Sequence, residues 1–276
     1  MRNKKNKLND LTAQEWIQFT KSWFIHNPPP RDKEKILHPA AFPETLIVDF
    51  IKFFTKKNQI VLDPFLGTGS TLIACYLTQR SGIGIELNYK YAKIAQKRIA
   101  NMMKQKRINF DSNEIFLRIF NKDSRDIKKI WFDKNLPMVD FCITSPPYWN
   151  QLKRNYIRQK DRKSKGLDTQ YSYNPKDLGN IDDYRKFLEE QKFIFDQVYD
   201  VVKPGGYLVV ITNNVFADGR LYPLAFDTLI TLSQRWTPKD EKIWCQNNKP
   251  LFPFGLYSAW VGNRLHHYCL IFRKEK

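Results

Sequence analysis

Three short stretches set chemistry-bearing residues at the ends of apolar runs. In "VLDPFLGTGS" (Val61–Ser70), Asp63 precedes a turn that holds Gly67 and Gly69; "GIGIE" closes on Glu86; and "CITSPPYWN" (Cys142–Asn150) runs from an apolar stretch into Ser145, Pro146, Pro147 and Tyr148. Glycines between a strand and a helix permit positive φ or close approach of backbone to a ligand. In open α/β sheets ligands lie at the carboxyl ends of strands. The turn is not a phosphate-binding Walker loop, because no Gly-Lys-Ser/Thr follows, and Leu72 stands where a dinucleotide turn has its third glycine. An acid beside such a turn suits a cationic or zwitterionic ligand, although an ordinary tight strand–helix turn would carry the same residues.

Glu86 is the first acid after the glycine turn. A carboxylate there can accept both hydroxyls of a ribose; an acid at the start of the next helix is the competing role. The two features in this order indicate a nucleoside ligand. After a third apolar run, "KDSRDI" offers Asp123 and Ser124, placed to meet an adenine edge, as a plain Asp-Ser turn would also be. The Pro-Pro turn removes backbone donors and aims carbonyls in one direction. Ser145 adds a hydroxyl, Pro146 a carbonyl acceptor and Tyr148 an aromatic face. That set suits a flat, amine-bearing ring, whereas a chain that only needed to turn would more simply use Gly, Asn or Asp.

These residues require strands to carry them to one edge and helices to cover the sheet. "ETLIVDFIKFF" (Glu44–Phe54) reads as a helix with Pro43 at its start. "QIVLD" (59–63) reads as a strand, "TLIACYLTQR" (71–80) as a helix, "GIGIE" (82–86) as a strand and "NYKYAKIAQKRIANMMKQ" (88–105) as an amphipathic helix. Strands are predicted over 114–120 and 138–143, a long helix over 182–202, and a strand over 207–212. Lys203-Pro204-Gly205-Gly206 reads as the stop after the long helix. A helix near 223–233 and two late strands, "EKIWCQ" and "HHYCLIFRK", complete the pattern. Alternating strands and helices predict an α/β, doubly wound, mostly parallel sheet, with the last two strands as a closing antiparallel hairpin.

The chain has 276 residues, 42% of them hydrophobic, enough for one large core. No apolar run approaches the roughly 18 residues of a membrane span, and the basic N-terminus lacks an apolar signal core. The expectation is a cytoplasmic prokaryotic protein that associates with the nucleoid, not with a membrane. Cys75, Cys142, Cys245 and Cys269 are scattered, with no C-x-x-C pair, which argues against a metal site or a disulfide framework. Lys and Arg total 46 against 28 Asp and Glu, a net charge of +18, so a polyanion is a plausible partner and nucleic acid the first candidate. Solvated Lys-rich surfaces would give the same balance. The excess is densest in "KRNYIRQKDRKSK", where Lys153, Arg154, Arg158, Lys160, Arg162, Lys163 and Lys165 face one acid. The long irregular stretch 151–180 is of a length usually functional or disordered.

Asp63-Pro64-Phe65-x-Gly67-x-Gly69 and Ser145-Pro146-Pro147-Tyr148 resemble the cofactor and catalytic motifs of S-adenosylmethionine-dependent DNA amino-methyltransferases. "HPAAFPETLI" (His38–Ile47) is similar to the motif that packs on the cofactor's methionine end, and "NRLHHYCLIFRK" to a late strand of that family. The resemblance covers roughly 38–149 and 182–273. It implies a seven-stranded, Rossmann-like class I methyltransferase sheet in a single catalytic domain spanning 1–276. It also implies S-adenosylmethionine bordered by His38, Phe42, Pro43, Pro64, Phe65, Gly67, Thr68, Gly69, Ser70, Leu87, Ser124 and Thr144. Asp63 would lie near its amino-acid part, Glu86 on its ribose and Asp123 on its adenine. Ser145, Pro146, Pro147 and Tyr148 would hold the target base. Ser rather than Asp or Asn ahead of Pro-Pro-Tyr is typical of members acting on cytosine N4; adenine N6 enzymes more often carry Asp.

The implied partner is double-stranded DNA, with a cognate restriction endonuclease as a companion. A separate recognition domain of about a hundred residues has no room in the pattern. Recognition is therefore expected from 151–180, whose seven basic residues would meet phosphates, and from 215–257. A second copy or a specificity subunit is the alternative. An RNA methyltransferase acting on guanine N2 could share the glycine and Pro-Pro-Tyr turns, but usually carries an N-terminal RNA-binding domain. A non-catalytic nucleic-acid-binding module would explain the charge but not Asp63, Glu86 and Ser145 at three strand ends.

Overall fold

One sheet brings the three stretches to a common edge. A computed structural model describes residues 6–30, 34–105, 115–154 and 156–275, the side chains of 154–158 excepted. The strands are β1 (Trp23–Ile25), β2 (Ile60–Asp63), β3 (Ser81–Ile85), β4 (Leu117–Phe120), β5 (Val139–Thr144), β6 (Val202–Thr212), β7 (Val215–Ala217), β8 (Arg220–Tyr222), β9 (Thr237–Cys245) and β10 (His266–Arg273). Eight form a sheet in the order β1-β9-β10-β6-β5-β2-β3-β4, and β7 and β8 make a separate hairpin. β2, β3, β4, β5 and β6 pair in parallel, while β10 runs antiparallel to both neighbours. The expected seven strands and their closing hairpin are present. The short β1 extends them, pairing in parallel with β9.

The helices are α1 (Ala13–Phe19), α2 (Glu44–Phe54), α3 (Ser70–Thr78), α4 (Tyr89–Gln105), α5 (Ile127–Asp133), α6 (Gln151–Arg154), α7 (Tyr156–Ser164), α8 (Tyr184–Val201) and α9 (Leu224–Leu232). Val61, Phe141, Ile143, Val209 and Ile271 point to the sheet face covered by Phe50, Ile51 and Phe54 of α2. Their neighbours Leu62, Cys142, Leu208, Val210 and Leu270 point to the face covered by Phe187, Phe195 and Val198 of α8. Coverage on both faces explains why these strands read as unbroken apolar runs. Leu72, Ile73, Ala95 and Ile99 join α3 to α4 in a smaller cluster.

The Lys203-Pro204-Gly205-Gly206 stop is not a turn outside the strand. α8 ends at Val201 and β6 begins at Val202. There β6 advances from Val202 to Tyr207 while β5 advances only from Val139 to Phe141. The extra residues loop out as a bulge, with Gly205 at φ +86° and Gly205 N–H donating to the Lys274 carbonyl at 2.7 Å. A Pro lacking a donor is tolerated where the ladder is already broken. Among the described residues no helix is long and apolar enough to cross a membrane.

Candidate active site

The carboxyl ends of β2, β3, β4 and β5 open onto one cleft, lined among others by Phe65, Gly67, Glu86, Asp123 and Ser145. The glycine turn is tied down from all sides. Gly67 sits at φ +55° with its N–H donating to Glu86 Oε2 at 2.7 Å. A Cβ at Gly67 would come within 3.2 Å of His38 Nε2, so glycine lets the turn lie against the imidazole. Glu86 Oε1 accepts from Asn88 N–H at 2.7 Å. Two donors leave lone pairs on each carboxylate oxygen. Burial raises its pKa to about 7 despite those two bonds. Pro64, Leu87 and Ser70 line the cleft, as do Phe42 and His38 from the segment before α2; Pro43 caps α2 and is buried. Thr68 also lines it, and its buried Oγ1 has no hydrogen-bond partner among the described residues. Ser124 Oγ donates to the Pro64 carbonyl at 2.5 Å, clamping the turn after β4 to the turn after β2.

Three expected cofactor residues do structural work instead. Asp63 is fully buried, accepting from Thr71 Oγ1 at 2.5 Å, Thr144 Oγ1 at 2.6 Å and Phe65 N–H at 3.0 Å. It shapes the turn and does not line the cleft. Burial raises its pKa to about 6, against the hydrogen bonds from the two threonines. Thr144 is spent on the same bond. Gly69, at φ +88°, caps α3, and a Cβ there would lie 2.9 Å from Ala95 Cβ. It serves contact between α3 and α4 and is not among the residues that line the cleft.

The catalytic candidate is a linked set. Ser145 Oγ lies 3.2 Å from Tyr148 Oη, which lies 3.2 Å from His267 Nδ1. β10 is antiparallel, so its first residues return to the edge where β5 ends, and His267 arrives beside Tyr148. His267 stacks on Trp244 with centroids 4.6 Å apart, and burial lowers its pKa to about 3, so the ring is neutral. Ser145 and Pro147 line the same cleft as Gly67 and Glu86. Trp149, buried at φ +50°, packs on Tyr222 of β8 at 4.7 Å. The late-strand histidine was visible in sequence only through resemblance; its contact with Tyr148 follows from the antiparallel return.

A DNA methylase family profile, of the N6/N4 type, matches residues 1–97 and 139–276. The chain belongs to the N6/N4 DNA methylase family. Among curated proteins it is similar to the orphan methyltransferase M.BamHII of Bacillus amyloliquefaciens, 40% identical over 76 residues, which cover 28% of this chain and 29% of that protein. It is 29% identical over 145 residues to the type II methyltransferase M.HpaI of Haemophilus parainfluenzae, covering 49% and 43% respectively. The match thus spans less than half the length of either relative. Among solved structures, NSun6 of Pyrococcus horikoshii superposes with a TM-score of 0.51 at 10% identity, covering 86% of this chain and 53% of that one, a likeness of fold.

The segment expected to meet DNA divides: its basic run lies beside the cleft, and its later part, from Tyr171, lines it. Arg162 is buried. Its Nε donates to the Asp168 carbonyl at 2.5 Å, and Nη2 to the Ile36 and Leu37 carbonyls at 3.0 and 2.9 Å. That position removes Arg162 from any phosphate-facing set. Asn88 Nδ2 donates to the Tyr171 carbonyl at 2.7 Å, Tyr91 Oη to Asp168 at 3.0 Å, and Arg125 Nη1 to the Lys176 carbonyl at 2.8 Å. Tyr171, Ser172, Lys176, Asp177 and Leu178 thereby become cleft walls. Asp177 is held by Ser172 Oγ at 2.7 Å and Gly179 N–H at 2.8 Å. Of the other basic residues, Lys153 pairs with Asp182 and Lys165 with Asp161. Lys160 and Lys163 line an adjoining groove. The side chains of Arg154 and Arg158 lie outside the described residues. Sequence reasoning also missed the half-buried Glu44, which accepts from Lys35 Nζ and Arg98 Nη2, each at 2.6 Å. Burial opposes its ionisation, but the two cations outweigh that and hold its pKa at about 2.

Proposed function

We infer that the protein transfers a methyl group from S-adenosylmethionine to the N4 amine of a cytosine turned out of duplex DNA. The observation that carries this reading is the placement of Ser145 on the cleft that also holds Gly67, Glu86 and Asp123. An amine acceptor thus stands beside a nucleoside-binding edge. The cleft suits the cofactor: Glu86 has lone pairs for two ribose hydroxyls, and Thr68 Oγ1 is a buried hydroxyl with no hydrogen-bond partner among the described residues. S-adenosylmethionine, when bound, supplies an electrophilic methyl.

The chain's own part is to ready the amine. A cytosine N4 lone pair is delocalised into the ring and is a poor nucleophile. In the tautomer with His267 Nδ1 unprotonated, Tyr148 donates to His267 and Ser145 donates to Tyr148. Ser145 Oγ then keeps its lone pairs for an amine N–H. Accepting that hydrogen bond draws the nitrogen toward a pyramidal geometry and frees its lone pair, while fixed proximity supplies much of the rate. No covalent link to the enzyme is needed. Cys142, buried within β5, belongs to the core.

The test is transfer of labelled methyl to duplex DNA and to tRNA, followed by nucleoside analysis. Label in N4-methyldeoxycytidine is expected. Label in N6-methyldeoxyadenosine would overturn the cytosine assignment, and label confined to RNA would overturn the DNA reading. Ser145→Ala should lose at least about 100-fold in turnover while retaining cofactor affinity; unchanged turnover removes Ser145 from the mechanism.

A further inference from the structure

Between β9 and β10 the chain leaves the sheet for the segment 246–265. It then returns at His266–His267 beside Tyr148. Its tip exposes Leu251, Phe252, Phe254, Leu256, Tyr257 and Trp260, with Tyr257 99% and Trp260 94% exposed. Scattered apolar side chains are ordinary on a surface, but a contiguous set marks an interaction site. The tip is built rather than slack. Phe252 N–H donates to Asn263 Oδ1 at 2.9 Å, and Asn263 Nδ2 donates back to the Phe252 carbonyl at 2.8 Å, closing its neck. The N–H groups of Ser258 and Ala259 both donate to the Gly255 carbonyl at 2.9 Å. Gly255 is at φ +65°, and a Cβ there would sit 2.1 Å from the Ala259 carbonyl oxygen, so the bend requires glycine. The aromatic side chains are presented by a fixed backbone at little further cost in ordering.

Charge selects the occupant. From Gln246 to Leu265 the sequence has no Asp or Glu, and it carries Lys249 and Arg264. A second copy of a chain of net charge +18 would bring like charge to this surface, whereas a nucleic acid brings the opposite sign together with flat π faces. Position selects the part of the nucleic acid. The tip's return strand touches the catalytic turn through His267 and Tyr148. On the other side, Trp149 packs on Tyr222 of the β7–β8 hairpin, whose Phe216 lies under the Arg264 guanidinium at 5.7 Å. The two loops meet each other beside the catalytic turn.

We propose that the Leu251–Trp260 tip is a nucleobase-stacking wedge, with Tyr257 and Trp260 stacking on the bases that flank the target and filling the space it vacates in the duplex. This rests on the reading of the protein as a DNA methyltransferase, and the test separates the two. Wild-type protein, a Tyr257→Ala/Trp260→Ala double variant and Trp260→Phe are compared for labelled methyl transfer to bacterial genomic DNA, native and heat-denatured. Stacking on an aromatic side chain is strong enough per base that the double variant should lose about tenfold or more on native DNA. It should lose under about threefold on denatured DNA, where no stack need be opened. Trp260→Phe should retain most activity, and cofactor affinity and unfolding midpoint should match wild type. Equal activity on native DNA, or equal losses on both forms, overturns the wedge. A variant that changes sedimentation from dimer to monomer without changing methylation of native DNA assigns the tip to a second copy and overturns it too. If wild type labels neither form of DNA, the methyltransferase reading itself fails.

Discussion

Two insertions leave the carboxyl edge of the sheet, and they fold in opposite senses. Residues 151–180 carry the densest run of positive charge in the chain, yet Arg162 of that run is buried against the Ile36 and Leu37 carbonyls, and Tyr171 and Asp177 beyond it wall the cleft. Residues 246–265 carry two basic residues and no acid, yet they stand out with aromatic side chains in solvent. The difference is one of hydrogen-bond supply. The inward segment brings donors to carbonyls of the Ile36–Leu37 turn and acceptors to Asn88, Lys90 and Tyr91. The outward one closes its polar groups on itself at Asn263 and Gly255. Charge density along a sequence therefore does not show which of its basic side chains face solvent. A guanidinium already satisfied by three carbonyls is part of the scaffold.

The comparison can be broken most sharply at Arg162. Arg162→Ala leaves the Ile36, Leu37 and Asp168 carbonyls short of a donor, a loss of about 2 kcal/mol. It should also loosen the segment over the cleft. Calorimetric titration with S-adenosylhomocysteine should show affinity weakened about tenfold or more, and the salt dependence of DNA affinity should be unchanged. A shallower salt slope with intact ligand affinity would return Arg162 to the DNA face.

A smaller effect sharpens the cleft side. Glu86 titrates at about 7 in the folded protein, above the ordinary carboxylate range. Ligand affinity should fall several-fold as pH drops from 8 to 6, because protonation removes acceptor capacity from the ribose side. Glu86→Gln should be weaker throughout and lose that dependence. For the ligand-free protein the sign is opposite. A carboxyl raised on folding contributes stability that is full below the unfolded value near 4.5 and lost as pH rises through about 7. Buried neutral His267 contributes with the opposite sign over much of the same window, so the Glu86 contribution is read as the difference in unfolding midpoint between wild type and Glu86→Gln, which should shift toward the variant as pH rises from 5 to 8. A difference that does not change with pH would contradict the assignment.

The least effect is expected at Lys163, exposed beside the cleft. If that groove borders DNA, Lys163→Ala should reduce the salt slope of DNA affinity by about one, with two- to threefold weaker binding and no change in ligand affinity. No change in slope would leave the outer groove without a role on DNA.

Much of the fold was legible because its strands are covered on both faces. "QIVLD", "GIGIE" and "MVDFCI", alternating with helical stretches, read as buried parallel strands, and α2 falls where Glu44–Phe54 placed it. What escaped reading lacked such a pattern. β1 is three residues long, and α5 buries only Ile127, Ile130 and Trp131. The Lys203–Gly206 stretch does follow the end of α8, but that it also opens β6 as a bulge could not be read, because the same residues serve both. Within the site, Glu86 and Ser145 stand where their strand ends put them. Asp63, equally a strand-end acid, is turned inward by Thr71 and Thr144.

The sequence by itself determined which residue types reach the sheet edge: a glycine turn, a following carboxylate and a Ser-Pro-Pro-Tyr turn. Alternation and strand polarity are local properties that composition and spacing carry. Only the tertiary structure decided which of those groups face the cleft, that His267 completes the line from Ser145 through Tyr148, and which insertion closes inward. Those outcomes depend on pairings between residues far apart in the chain, and such pairings are fixed by burial and hydrogen-bond satisfaction, which no local stretch of sequence contains.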